Sequence, residues 1–160
     1  MKRTRLVLLV LVTLLTLTAC GGQDNLNTPV QMDMNATYTS ISGALEMPEM
    51  LELDADLMLD YCGIRQETVK QAKVLICADS LRTDEIWLIQ AVDEGAAKTI
   101  EELANKRLQK KGEESITYSP EQYAVVQKAE LVRHGCYIGL FVSPDSAAMA
   151  NLFRGDAGIE

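Results

Sequence analysis

The sequence predicts an α+β domain. The expected core is an antiparallel four-stranded sheet made of two hairpins, in the order β-β-α-β-β-α, with N-terminal helices packed on it. Three observations lead there. Residues 73–78 (KVLICA) and 85–92 (EIWLIQAV) are rich in β-branched and aromatic residues and are separated by a short polar loop, DSLRTD. A second such pair lies in AELVRHGCYIGLFVS, 129–143. Between the pairs, EGAAKTIEELANKRLQKKG at 94–112 has helical periodicity. Hairpins favour antiparallel pairing, which sets α+β apart from α/β.

Taken in order, the chain opens with Lys2, Arg3 and Arg5, then an apolar run from Leu6 to Leu17 broken only by Thr13 and Thr16. A basic flank and a short apolar run are the pattern of a secretory signal. The run is shorter than the roughly 20 residues a spanning helix needs. It ends at Leu17-Thr18-Ala19-Cys20, which resembles a bacterial lipobox. That resemblance implies a diacylglyceryl group on the Cys20 thiol and cleavage between Ala19 and Cys20. Residues 1–19 are then the lipoprotein signal peptide. The basic flank stays inside, so the rest is expected at the cell membrane on its extracytoplasmic face, held by the N-terminal lipid.

Residues 20–34 (CGGQDNLNTPVQMDM) are polar and read as a flexible tether. A coil of this length reaches about 20 Å. The globular domain is expected over 35–154, with 155–160 as a loose tail. Asn35 is the expected cap of a first helix carrying Tyr38, Ile41, Ala44 and Leu45 on one face. Asp54 is the expected cap of a second, with Leu57, Met58 and Tyr61 inward and Gly63 at its C-terminal stop. Strands 73–78 and 85–92 are apolar on both faces, so they suit central positions covered on two sides.

Asp93 then caps the long helix, whose core stripe is Ile100, Leu103, Ala104 and Leu108. Lys106, Arg107, Lys110 and Lys111 gather near its end, where they complement the helix dipole and stay in water, and Gly112 is the expected stop. Ser119-Pro120-Glu121-Gln122 has the form of a helix start. In the second hairpin, His134-Gly135 falls at the tight turn. Ser143-Pro144-Asp145 opens a last helix that buries Ala147, Ala148, Leu152 and Phe153.

Composition narrows the function. Apolar residues make up 48% of the chain, which argues against wholesale disorder. The first nineteen residues carry three of the fifteen Lys and Arg and no acid. The remainder therefore holds twelve bases against twenty-three acids, a formal charge of −11. Such an acidic domain is a poor partner for nucleic acid. Cys62, Cys77 and Cys136 remain beside Cys20, with no C-x-x-C pair, and His134 is the single histidine. They match no zinc spacing and read as small buried apolar residues.

Five stretches resemble the clostridial lipoproteins grouped as domain-of-unknown-function family 4358. They are YCGI (61–64), KVLICADSLRTDEIWLIQAVD (73–93), LANKRLQKKGE (103–113), YSPEQY (118–123) and AELVRHGCYIGLFVSPD (129–145). The resemblance implies a surface-anchored lipoprotein. It carries no activity, ligand or catalytic residue to transfer, and its anaerobic setting argues against a disulfide.

Other candidate sites read as structure. His134 and Cys136 lie two apart, where side chains meeting as a Cys–His pair are not expected. Glu49, Glu52, Asp54, Asp56 and Asp60 lack the central Gly of a calcium loop and read as a cap and a solvated face. Arg154-Gly155-Asp156 spells an adhesion tripeptide by chance. Tyr38, Tyr61, Trp87, Phe141 and Phe153 read as core anchors. With no catalytic constellation, metal or cofactor expected, the function expected is non-enzymatic: a lipid-anchored binding or accessory domain at the bacterial envelope, serving an unidentified envelope protein or ligand. The alternatives are a small-ligand receptor and, behind it, a thiol-dependent envelope enzyme.

Overall fold

The structure is a computed structural model, and it describes residues 31–159. The expected signal peptide, the lipobox-like stretch Leu17 to Cys20 and most of the expected tether lie outside the described residues. Among those described, a five-stranded antiparallel sheet is covered by helices on both faces. The elements in order are α1 (Met34–Ala44), β1 (Met50–Glu52), α2 (Ala55–Cys62), a 3-10 turn (Gln66–Thr68), β2 (Val69–Cys77), β3 (Glu85–Ala91), α3 (Glu94–Tyr118), α4 (Pro120–Val126), β4 (Glu130–His134), β5 (Tyr137–Val142) and α5 (Ser146–Asp156).

The α+β class and the two hairpins hold, but the sheet has five strands, not four. Its order is β1-β2-β3-β5-β4. The extra strand, β1, is three residues that pair Met50 with Cys77 and Glu52 with Leu75 at the β2 edge. β3 pairs with β5, which joins the hairpins at the centre. There β3 alternates between two cores. Trp87, Ile89 and Ala91 face α2, α3 and α4, while Ile86 and Leu88 face α1 and α5. The N-terminal helices are thus split, one to each face.

Capping chemistry explains several helix starts. The side chain of Asp54 accepts from Leu57 N, that of Asp93 from Ala96 N, and that of Ser119 from Gln122 N, with Pro120 at the first turn. Gly63 ends α2 in the left-handed conformation at φ 74°. Gly135, at φ 54°, is the first residue of the two-residue turn between His134 and Tyr137.

Other expectations are corrected. Asp33, not Asn35, caps α1, accepting from Asn35 N and Ala36 N. Met32 and Met34 are already buried, so the domain begins inside the expected tether. Ala44 lies exposed, and Leu57 and Tyr61 of α2 point outward while Met58 and Cys62 fill the core. In α5 the buried face is Ser146, Met149, Ala150 and Phe153, one step out of phase with Ala147 and Ala148. The tail is not loose through Ile159: α5 runs to Asp156 and Ala157 is buried. Trp87, Phe141 and Phe153 are the aromatic anchors, with Phe141 and Phe153 edge to face at 5.8 Å.

Candidate functional site

One correction builds a site. Gly112 does not stop α3, because it needs no positive φ and the inward stripe simply continues through it. Ala97, Ile100, Ala104, Lys111 and Ser115 are all buried on one helical face. At 25 residues, α3 is about 38 Å long at 1.5 Å per residue. Beside it β3 has seven residues, about 24 Å at 3.4 Å each. The helix therefore overhangs the sheet.

The overhang forms one wall of a cleft of about 670 Å³; the β2–β3 loop, residues 78–84, forms the wall opposite, and Ser119 and Gln122 close it. The volume falls in the range of small-molecule sites, roughly 300–1,000 Å³.

A buried charge network underlies the cleft. Glu85 opens β3 and is 0% exposed. Its carboxylate accepts from Arg107 Nε and Nη2, the latter at 2.8 Å, from Lys111 Nζ at 2.8 Å and from the Trp87 indole N–H at 2.7 Å. Arg107 and Lys111 are one helical turn apart, so α3 presents both to one acid. Burial pushes the Glu85 carboxyl up. The Arg107 hydrogen bonds and the charges of Lys111 and Arg107 outweigh burial and hold it below its ordinary 4.5. The four clustered cations of α3, Lys106 to Lys111, therefore do not all stay in water. Lys106 and Lys110 do, whereas Arg107 and Lys111 turn inward.

The same groups fix the loop. Lys111 Nζ also donates to the Thr83 carbonyl at 3.0 Å. Gln122 Oε1 accepts from Thr83 N at 2.9 Å and from Thr83 Oγ1 at 3.0 Å. Arg82 clasps Asp84 through two hydrogen bonds of 3.0 and 3.1 Å. Ser115 Oγ donates back to the Lys111 carbonyl, as mid-helix serines do. Two large apolar side chains stand on the rim against this polar floor: Leu81, 81% exposed, and Tyr118, 86% exposed.

The candidates read from the sequence lie elsewhere. His134 is the last residue of β4 and pairs in register with Tyr137, at the end of the sheet remote from Glu85. Cys136 sits in the turn and is only half-buried, against the buried position expected of it. Cys62, Cys77 and Cys136 are free thiols. Burial first, and the Glu85 carboxylate second, push the Cys62 thiol up to about 12. In the acidic stretch, Asp54 caps α2 and Glu52 pairs with Lys73 at 2.6 Å. Among the described residues no group of three His, Cys, Asp or Glu side chains could hold a metal ion. Arg154 of the adhesion-like tripeptide is helical and reaches Glu130 at 3.3 Å.

Sequence reasoning missed Glu85, Arg107 and Lys111 as one unit, yet the signal was present. Glu85 is the single acid in phase with Trp87, Ile89 and Ala91. Arg107 and Lys111 continue the Ile100–Ala104 stripe at i+3 and i+4 spacing.

Residues 43–143 match the model of a domain of unknown function, DUF4358, and the chain belongs to that family. No curated protein and no solved structure matches it.

Proposed function

We propose that this chain is an envelope lipoprotein that acts by binding a ligand in the cleft under the α3 overhang. Cys20 would carry the lipid, and the domain would stand outside the cytoplasm on the short tether. The observation that carries the reading is a cleft of small-molecule size whose loop is fixed in advance by a buried charge network. A site held rigid before binding loses little on ordering, which favours affinity. Of the two binding readings, the small-ligand receptor gains most from this geometry.

The location of the cleft supports the same reading. The described chain enters beside the β5 start, where Met32 N donates to Tyr137 Oη at 3.3 Å and Met34 N to Gln71 Oε1. The cleft lies at the other end of the strands, where Ile76 and Val142 both pair with Glu85. With Cys20 in the membrane, the cleft would open away from it, beyond the length of β3.

Catalysis is not part of the reading. Asp84 and Glu85 are committed to Arg82, Arg107 and Lys111, so neither is free as an acid or base. His134 is remote. The test is a thermal-shift assay of the acylated protein against the small-molecule fraction of its host cells, beside a Leu81→Ser/Tyr118→Ser variant. Stabilisation of the wild type alone is the expected result. Equal shifts in both proteins, or none in either, would refute the cleft. Absence of acyl mass on the mature N-terminus would refute the anchor.

A further inference from the structure

We infer that the ligand of this cleft is an organic anion, a carboxylate carried on an apolar body. The inference rests on the cleft being the binding site and goes on to name its chemistry. A census of hydrogen-bond capacity carries it.

The best-placed acceptors of the inner wall are largely taken. A carboxylate offers about four lone-pair sites. Glu85 receives Arg107 through two nitrogens, Lys111 through one and Trp87 through one. Asp84 receives two nitrogens of Arg82, half of its capacity. Gln122 Oε1 is taken twice by Thr83.

The donors are not spent. Because Thr83 fixes the oxygen of Gln122, its Nε2 is left with two N–H groups and no partner among the described residues. Lys111 Nζ uses two of its three hydrogens, on Glu85 and on the Thr83 carbonyl. Nη1 of Arg107 takes no part in the Glu85 clasp, and Nη1 of Arg82 takes none in that of Asp84.

Formal charge at the cleft is balanced: Arg82, Arg107 and Lys111 stand against Asp84, Glu85 and Glu114, in an otherwise acidic protein. Arg82 and Glu114 are both largely in water, where their charges are screened, so the preference for an anion rests on the open donors of the inner wall. A wall with more N–H to give than acceptors left open complements an anion, and charge-assisted hydrogen bonds are the strong ones. Leu81 and Tyr118 at the rim then meet the apolar part of the same ligand, an aromatic body most readily.

A free small molecule and the C-terminus of a protein chain both present this chemistry. The experiment separates them by calorimetry on the full acylated chain in detergent micelles. Trp87, the single tryptophan and bonded to Glu85, serves as a fluorescent reporter. The probes are N-acetyl-phenylalanine, its uncharged amide, and a hexapeptide ending in phenylalanine with a free or an amidated terminus.

The expected result is that each acid binds at least tenfold tighter than its amide, and that Leu81→Ser/Tyr118→Ser weakens the acid at least tenfold. Both substitutions lie on exposed side chains, so the variant should keep its fold. With the acid preference in hand, a peptide tighter than the single amino acid identifies a chain terminus, and the reverse identifies a free metabolite. Equal binding of acid and amide, lost in the rim variant, overturns the anion while leaving the cleft standing. Acid binding unchanged in the rim variant, or no binding of any probe, overturns the inference.

Discussion

Removing the charge of Glu85 should destabilise the domain more than any surface change. In Glu85→Gln, Arg107 and Lys111 stay buried and lose their shared counter-charge, while the Trp87 indole can still donate to the amide oxygen. Breaking a buried pair by one partner costs about 3–5 kcal/mol, because an uncompensated charge remains. Whole domains are stable by only about 5–15 kcal/mol. At about 3–4 °C per kcal/mol for this size, Tm should fall by about 10–20 °C. The assay is urea unfolding followed by Trp87 fluorescence, with calorimetry in parallel. Replacing the whole set, as Glu85→Leu/Arg107→Met/Lys111→Met, should recover most of the loss, since apolar substitutes carry no desolvation penalty. A Glu85→Gln protein within about 1 kcal/mol of wild type would refute the reasoning, because no buried charge would then have been orphaned.

Other outcomes follow from the same packing and charges. The Glu85 carboxyl titrates lower in the folded than in the unfolded chain, so its contribution is complete above its ordinary 4.5 and is lost as pH falls through the folded value. Wild type should therefore lose more stability than Glu85→Gln between about pH 5 and pH 3, measured by urea midpoints. Gly112→Ala should stabilise by about 0.5–1 kcal/mol in thermal unfolding, since a helix gains from alanine. Its Cβ would meet only Tyr123 and Val126, at ordinary 3.8 and 4.0 Å contacts. Gly139→Ala should cost about 1–3 kcal/mol in the same assay by overpacking. Its Cβ would fall 2.8 Å from the Phe141 ring and 3.2 Å from Phe153. In the native protein a thiol reagent near pH 8 should label half-buried Cys136 well before Cys62, read by peptide mass; equal rates would contradict the burial of Cys62.

Local rules were legible where local chemistry decides. The caps Asp54, Asp93 and Ser119 and the stop at Gly63 follow from side-chain oxygens and a left-handed glycine, and the structure places each as read. The two-sided burial of β2 and β3 follows from their unbroken apolar runs. Tertiary choices were less legible. β1 is three residues, and its strand character comes from pairing with Leu75–Cys77, not from its own pattern. In α2 the inward face is set by Met58 and Cys62, one position away from the bulkier Leu57 and Tyr61.

The cleft was hidden by a single reading. A glycine after four cations looks like a helix end, yet Gly112 lies mid-helix and Ser119 ends α3. Ending α3 at Gly112 removes the overhang, and with it the wall of the cleft. It also turns Arg107 and Lys111 into dipole partners when they are the counter-ions of a buried acid. The phase of Glu85 with Trp87 was the available clue, since an acid on the buried face of a central strand requires a cation from the helix above it.

The most direct test of the central claim is native mass spectrometry of the full protein taken from its own membranes, wild type beside Leu81→Ser/Tyr118→Ser. The account predicts an acylated wild type that releases one small anionic molecule on denaturation, and a rim variant, equally acylated and folded, that releases none. The same molecule recovered equally from both proteins, or a wild type that carries none, would contradict a ligand site beneath the α3 overhang.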